Sequence, residues 1–276
     1  MNQTTFDDIV REYGSIFKNR EIFTMEYIPD IYKYLDSQLT KMAIYSKEVD
    51  NGITPQNMRL IGGCATGKTS TTMKYFSMME KRFTNVVCVY INCQINTTEY
   101  KIFSKIYKKL FGKQVNVSGL SKFNIYDEVM EYLVKKGKVL IVALDDYNYI
   151  KTGQELNMTL YNLLRAHESY NGVKVSVLTI INTNEDILID PQVSTIFHPI
   201  EVEFDNYKRY EIYDILKKRC QAGFYHNVVS ERVLNKVVNR TYDSGDLRYG
   251  IKLLSKAGEK AEKESSVNIL SKHTTI

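Results

Sequence analysis

The chain has 276 residues, 43% of them hydrophobic and 25% charged, with 37 Lys and Arg against 32 Asp and Glu for a formal charge of +5. This is an ordinary globular composition, which excludes disordered, collagen-like and disulfide-scaffold classes and fits one large domain or one domain with a small companion. The longest apolar runs, at 86–91, 139–144 and 175–181, have the length of buried strands and fall far short of the roughly 18 to 20 residues that span a bilayer.

The polar, acidic start (Met1 to Asp8) has neither the basic nor the apolar region of a signal peptide. Cys64, Cys88, Cys93 and Cys220 lack the paired short spacing of zinc or redox motifs, so a reduced, cytoplasmic setting is expected. The mild positive charge permits a polyanionic partner without demanding one.

In chain order, a strand is predicted at 58–62, then a glycine-containing turn and a helix at 68–82, then a strand at 86–91. Helical periodicity follows at 98–111 and 125–136, separated by a polar loop at 112–124. The unbroken apolar run 139–144 reads as a central parallel strand covered on both faces. A helix is predicted at 153–170 and strands at 174–181 and 200–204. Five strands alternating with helices predict a parallel α/β sheet. From residue 205 the strands stop, and helices at 207–224, 230–241 and 246–263 predict a small helical domain. The division expected is therefore 1–204 and 205–276, with no clear element in 264–276.

The chemistry is concentrated after the first strand. Gly62-Gly63-Cys64-Ala65-Thr66-Gly67-Lys68-Thr69 has the phosphate-loop spacing of Gly, four residues, then Gly-Lys-Thr. Gly62 and Gly67 permit a tight backbone path whose N–H groups, with those of Ala65 and Thr66, can surround phosphate oxygens at the start of the next helix. Lys68 supplies a mobile charge for the outer phosphates, and the Thr69 hydroxyl suits magnesium. The run ending at Leu144 delivers Asp145, placed to hold magnesium through its water shell, and then Asp146, placed to orient an attacking water. Thr183-Asn184 ends a later strand, where the Asn184 amide can orient water beside a γ-phosphate or simply make a turn. Gly245-Asp246-Leu247-Arg248 opens a helix of the helical region, and Arg248 reads either as a phosphate-seeking arginine or as a surface one.

Together these stretches resemble the AAA+ module of archaeal origin-recognition/cell-division-control replication initiators, from about residue 17 to 261. The resemblance is carried by Phe17-Lys18-Asn19-Arg20-Glu21, Tyr27-Ile28-Pro29, the phosphate loop, Tyr90-Ile91-Asn92-Cys93 and Leu144-Asp145-Asp146. It continues through Thr183-Asn184, Asp190-Pro191, Phe204-Asp205-Asn206-Tyr207, Ile215-Leu216 with Arg219, and Gly245-Asp246-Leu247-Arg248-Tyr249. It implies an AAA+ P-loop NTPase with a central five-stranded parallel sheet, a helical lid, and ATP or ADP with magnesium bound between them. It further implies that Asn184 and Arg248 sense the nucleotide while Tyr207 and Arg219 border it from the lid. The implied function is DNA replication initiation at origins on duplex DNA, alongside other initiator subunits or a replicative helicase.

Three departures bear on mechanism. Gly63-Cys64 stands where the family has prolines. Asp146 replaces Glu, which bears on hydrolysis more than on binding, so weak ATPase activity is expected. Gln192 to Ile196 lacks the basic residues that would act on a neighbour's nucleotide. The family's winged-helix DNA-binding domain is absent from the sequence, so either a piece of a longer protein or a naturally short relative is expected. That leaves a second reading, a nucleotide-dependent regulatory or interaction module with little DNA binding of its own. A small-molecule kinase is a third, without a recognisable acceptor site. Lys101, Lys105, Lys108 and Lys109 form a helical stripe, with Lys113 and Lys122 beyond; they read as a phosphate-facing surface or a solvated face.

Overall fold

The computed structural model describes residues 15–24, 27, 34–112, 117, 119–182 and 189–275. The chain divides into two compact units, one built from 35–63 and 67–204, the other from the described residues of 1–34 with 64–66 and 205–276.

The first unit contains, in order, α1 (Asp36–Ile44), β1 (Met58–Gly62), α2 (Lys68–Arg82), β2 (Val86–Asn92), α3 (Glu99–Phe111), α4 (Lys122–Lys136) and β3 (Val139–Asp145). It continues with α5 (Gly153–Leu164), the single turn α6 (Ala166–Ser169), β4 (Lys174–Asn182), α7 (Pro191–Phe197) and β5 (Ile200–Phe204). Among the described residues the strands form one sheet, ordered β2-β3-β4-β1-β5, with every neighbouring pair parallel. All seven residues of β3 are buried, as its unbroken apolar run requires of a strand with covered faces. Leu140, Val142 and Leu144 join Ile102, Phe103 and Ile106 of α3 and Leu156 and Leu160 of α5 in one core. Register gathers the carboxyl ends of the strands along one edge of the sheet: Gly62 pairs with Asn182, and Asp145 with both Asn92 and, two residues before Asn182, Ile180. Ligands of open parallel sheets bind beyond such ends.

Several boundaries differ from the sequence expectation for local reasons. The helix expected from 125 begins at Lys122, because Ser121 accepts a hydrogen bond from the Asn124 N–H and caps it. The helix expected over 153–170 breaks at Arg165 into α5 and α6. Helices α1 and α7, not foreseen, are short, and α1 has only one buried residue, Met42, so no apolar stripe announces it.

The second unit holds α8 (Arg209–Gly223), α9 (Glu231–Ser244) and α10 (Leu247–Lys263). Ser230 and Asp246 cap α9 and α10, and Gly245, with φ of 67°, ends α9 in the left-handed conformation that suits glycine. Residues 15–24 belong to this unit. Phe17 and Phe23 stack on Phe224, ring centroids 4.8 and 4.6 Å away, and Lys18 and Asn19 donate backbone hydrogen bonds to the Gly223 carbonyl. The final segment has no periodicity, yet it is held. Lys236 Nζ donates to Ser271 O at 2.8 Å and Lys260 Nζ to Thr275 O at 2.6 Å, while Arg240 donates to Thr274 O. Among the described residues no helix is long and apolar enough to cross a membrane.

Candidate functional site

The loop between β1 and α2 takes the path that its glycine spacing permits. Gly67 has φ of 96° and Ala65 has φ of 56°, so the chain turns through two left-handed residues before α2 begins at Lys68. Only glycine adopts that conformation at no steric cost, which is why position 67 needs it.

Lys68 is buried, and its Nζ donates to Gly62 O at 2.8 Å, Gly63 O at 2.7 Å and Asn182 Oδ1 at 3.0 Å. Buried ammonium groups need such partners, and an arriving phosphate oxygen can exchange with any of these neutral acceptors. One turn position on, Thr69 Oγ1 donates to Asp145 Oδ2 at 2.6 Å. The same carboxylate oxygen accepts from Tyr90 Oη at 2.7 Å. Burial, followed by the Asp145 charge, pushes the Tyr90 phenol well above its ordinary range, so it is a donor at neutral pH.

This donor set fits magnesium. That ion keeps several waters and takes one or two carboxylates together with phosphate oxygens, and Thr69 and Asp145 supply a hydroxyl and a carboxylate already in contact. Among the described residues no cluster of three or more His, Cys, Asp or Glu could hold a metal ion.

Asp146 sits in the left-handed region, φ 52° and ψ 47°, a conformation that Asp tolerates better than most residues. Its Oδ2 accepts from Gln94 Nε2 at 2.8 Å. Asp145 and Asp146 also raise the buried Cys93 thiol, after the larger effect of burial, to about 12, which leaves it inert. Asn184 and Lys113 lie outside the described residues. Asn182 and Gln94 carry no sequence signal, and Tyr90 enters the sequence reading only within the matching stretch Tyr90-Ile91-Asn92-Cys93, without a role at the site. For Tyr90 a signal existed: alternation along β2 places it on the same face as Asn92, which pairs with Asp145.

In the second unit, Cys64, Ala65 and Thr66 line a cavity of about 360 Å³ with Asn206, Tyr207, Tyr242 and Leu247. Burial, followed by the Glu211 charge, pushes the Tyr207 phenol up to about 12. Arg248 Nη1 donates to Cys64 Sγ at 3.8 Å. Arg219 donates to Ile22 O and, at 3.3 Å, to Tyr27 O, with its guanidinium 4.6 Å from the Tyr27 ring centroid. Gly62, Gly67, Lys68, Thr69 and Asp145 are thus brought together, as are Ala65, Thr66, Tyr207 and Arg248, and Arg219 lies against Ile22 and Tyr27.

Comparison with known proteins follows the same lines. A family model described as the Cdc6 AAA+ ATPase-type lid domain matches residues 213–275. ORC1-type DNA replication protein 2 of Methanothermobacter thermautotrophicus is 39% identical over 267 residues, 96% of this chain and 70% of that protein. The chain belongs to the ORC1-type DNA replication proteins. It is accordingly an AAA+ protein of the replication-initiator class. The ORC1-type protein 2 of Methanosarcina mazei is 41% identical over 96% of this chain and 72% of its own length. Among solved structures, Aeropyrum pernix ORC1 in complex with DNA superposes with a TM-score of 0.80 at 25% identity, covering 94% of this chain and 68% of that one. Aeropyrum pernix ORC2, solved as ADPNP–ADP complexes, shares the ORC1-type fold with a TM-score of 0.78 at 24% identity, covering 94% and 71%. The five-stranded parallel sheet expected of an AAA+ module is the one observed.

Proposed function

We propose that this ORC1-type chain binds ATP and acts at duplex DNA of replication origins, with ATP as a conformational ligand that is hydrolysed slowly. The observation that carries the reading is the union of Lys68, Thr69 and Asp145 at the carboxyl ends of the strands, through the 2.6 Å Thr69–Asp145 bond and the Lys68 grip on Gly62 and Gly63. Lys68 exchanges a carbonyl partner for a phosphate oxygen. Thr69 and Asp145 would hold magnesium, which when bound neutralises phosphate charge. Asp146 must turn its carboxylate from Gln94 to a water before it can act as base, and it has one methylene less than Glu; both favour slow turnover. Arg248 moves from Cys64 to phosphate, Tyr207 flanks the bound nucleoside, and Asn184 orients water. The helical lid begins at residue 205, and Arg219, which donates to the carbonyls of Ile22 and Tyr27, borders the nucleotide from the lid side. A ligand can shift a conformational balance only through contacts that differ between the states, and the exchanges by Lys68 and Arg248 are such contacts.

Duplex DNA as partner is supported by the likeness to Aeropyrum pernix ORC1, which was solved in complex with DNA. Within this chain part of the lysine stripe is already spent, with Lys109 paired to Glu80 at 2.8 Å and Lys122 to Glu99 at 2.6 Å. Lys101 and Lys105 are exposed on α3. Other initiator subunits or a replicative helicase are further partners, and the cytoplasm is the compartment. Fluorescence anisotropy with duplex DNA at two salt concentrations tests the reading. Binding that weakens as salt rises is expected, because each phosphate contact releases counterions. No binding even at low salt would favour the regulatory module that binds little DNA.

A further inference from the structure

We propose that the Tyr90 hydroxyl is a positioning group of the metal–nucleotide site, holding the Asp145 carboxylate in place as Thr69 exchanges its hydrogen bond for a cation. The inference rests on the nucleotide reading above and adds to it a residue outside the phosphate loop and the β3 terminus.

Asp145 Oδ2 accepts two hydroxyl donors, Thr69 Oγ1 at 2.6 Å and Tyr90 Oη at 2.7 Å. The terminal torsion of an aspartate is broad and roughly two-fold, so a carboxylate at a strand end needs external contacts to fix it. The two contacts have different fates. To serve as a ligand, Thr69 must present an oxygen lone pair to the cation and turn its proton away, which ends its donation to Asp145. Tyr90 comes from the adjacent strand β2, two residues before the Asn92 that pairs with Asp145. Its contact therefore survives the exchange and becomes the one that keeps the carboxylate aimed. The ring is rooted in the sheet and half-buried, so the hydroxyl is held with little entropy left to lose. Outer partners of metal-binding carboxylates commonly govern affinity in this way, and losing one typically costs about 10- to 100-fold.

The test is the affinity of a fluorescent ADP analogue for the wild-type chain and for Tyr90→Phe, each with magnesium and with EDTA, together with the melting temperature of both. The wild type should bind more tightly with magnesium. Tyr90→Phe should lose about 10-fold or more in magnesium, with affinity in EDTA unchanged to within about twofold. In an Asp145→Asn background, where the group acted upon is already altered, Tyr90→Phe should add nothing further. A variant that keeps the full magnesium gain overturns the proposal. So does one that weakens equally with and without magnesium, or that no longer folds, because either outcome makes the hydroxyl a purely structural bond. Failure of the wild type to bind nucleotide under any condition would instead bring down the site reading, and the role of Tyr90 with it.

Discussion

The sheet unit and the helical unit are ordered by different means. In the sheet unit, parallel register sets Gly62 beside Asn182 and Asp145 beside Ile180, two residues earlier on β4, and the seven-residue buried strand β3 gives these strand ends a rigid base. In the helical unit, order comes from close approach at glycine. A Cβ at Gly258 would collide with the Phe17 ring and press on Phe224; one at Gly223 would meet Phe23, and one at Gly250 would meet Thr241 and Leu216. Backbone pairing fixes one unit and side-chain interlock the other. The first therefore tolerates changes to side chains at its strand ends, while the second has no room to give.

Three changes break or sharpen that contrast. The largest effect is expected from Asp146→Ala, which should remove residual ATP turnover, about 100-fold or more for loss of a general base, and leave nucleotide affinity unchanged, with a small fall in melting temperature because alanine suits the left-handed conformation of position 146 less well. Equal turnover in a phosphate-release assay would mean that Asp146 is not the base, and a collapsed fold would mean that strand ends are not tolerant. Next, Gly258→Leu should cost about 1–3 kcal/mol through overpacking. Hydrogen exchange should show the loss in α8 and α10, with β3 protection retained; uniform loss in both units would erase the contrast. The smallest effect is electrostatic. Tyr213 and then Lys217 hold Glu231 below its ordinary 4.5, and Lys272 and then His273 do the same for Glu264. A depressed folded value stabilises above the unfolded one and is lost as pH falls through the folded value. The helical unit should therefore weaken below about pH 4.5, and Glu231→Gln should reduce that acid sensitivity slightly, as expected of an exposed pair. Urea midpoints at neutral and acid pH measure it.

The same contrast decides what could be read from sequence. The phosphate loop and the apolar run into Asp145-Asp146 were legible because local spacing and continuous burial leave local marks. Asn182 on Lys68 and Tyr90 on Asp145 were not, because each depends on which strands become neighbours, and the order β2-β3-β4-β1-β5 is not the chain order. The packing of Phe17 and Phe23 into the helical unit was equally hidden: the partners Phe224 and Gly258 lie some two hundred residues away in sequence. The resemblance implies that Arg219 borders the nucleotide; its hydrogen bonds to the carbonyls of Ile22 and Tyr27 had no mark in the sequence. Periodicity can place an arginine on a helix face, but it cannot name a backbone carbonyl as its partner.

The central claim is that Lys68 leaves the carbonyls of Gly62 and Gly63 for the phosphates of a bound nucleotide. Isothermal titration of ATP into the wild-type chain and into Lys68→Ala tests it most directly. One saturable site in the wild type and no measurable binding in the variant is the predicted result; unchanged affinity in Lys68→Ala would contradict it.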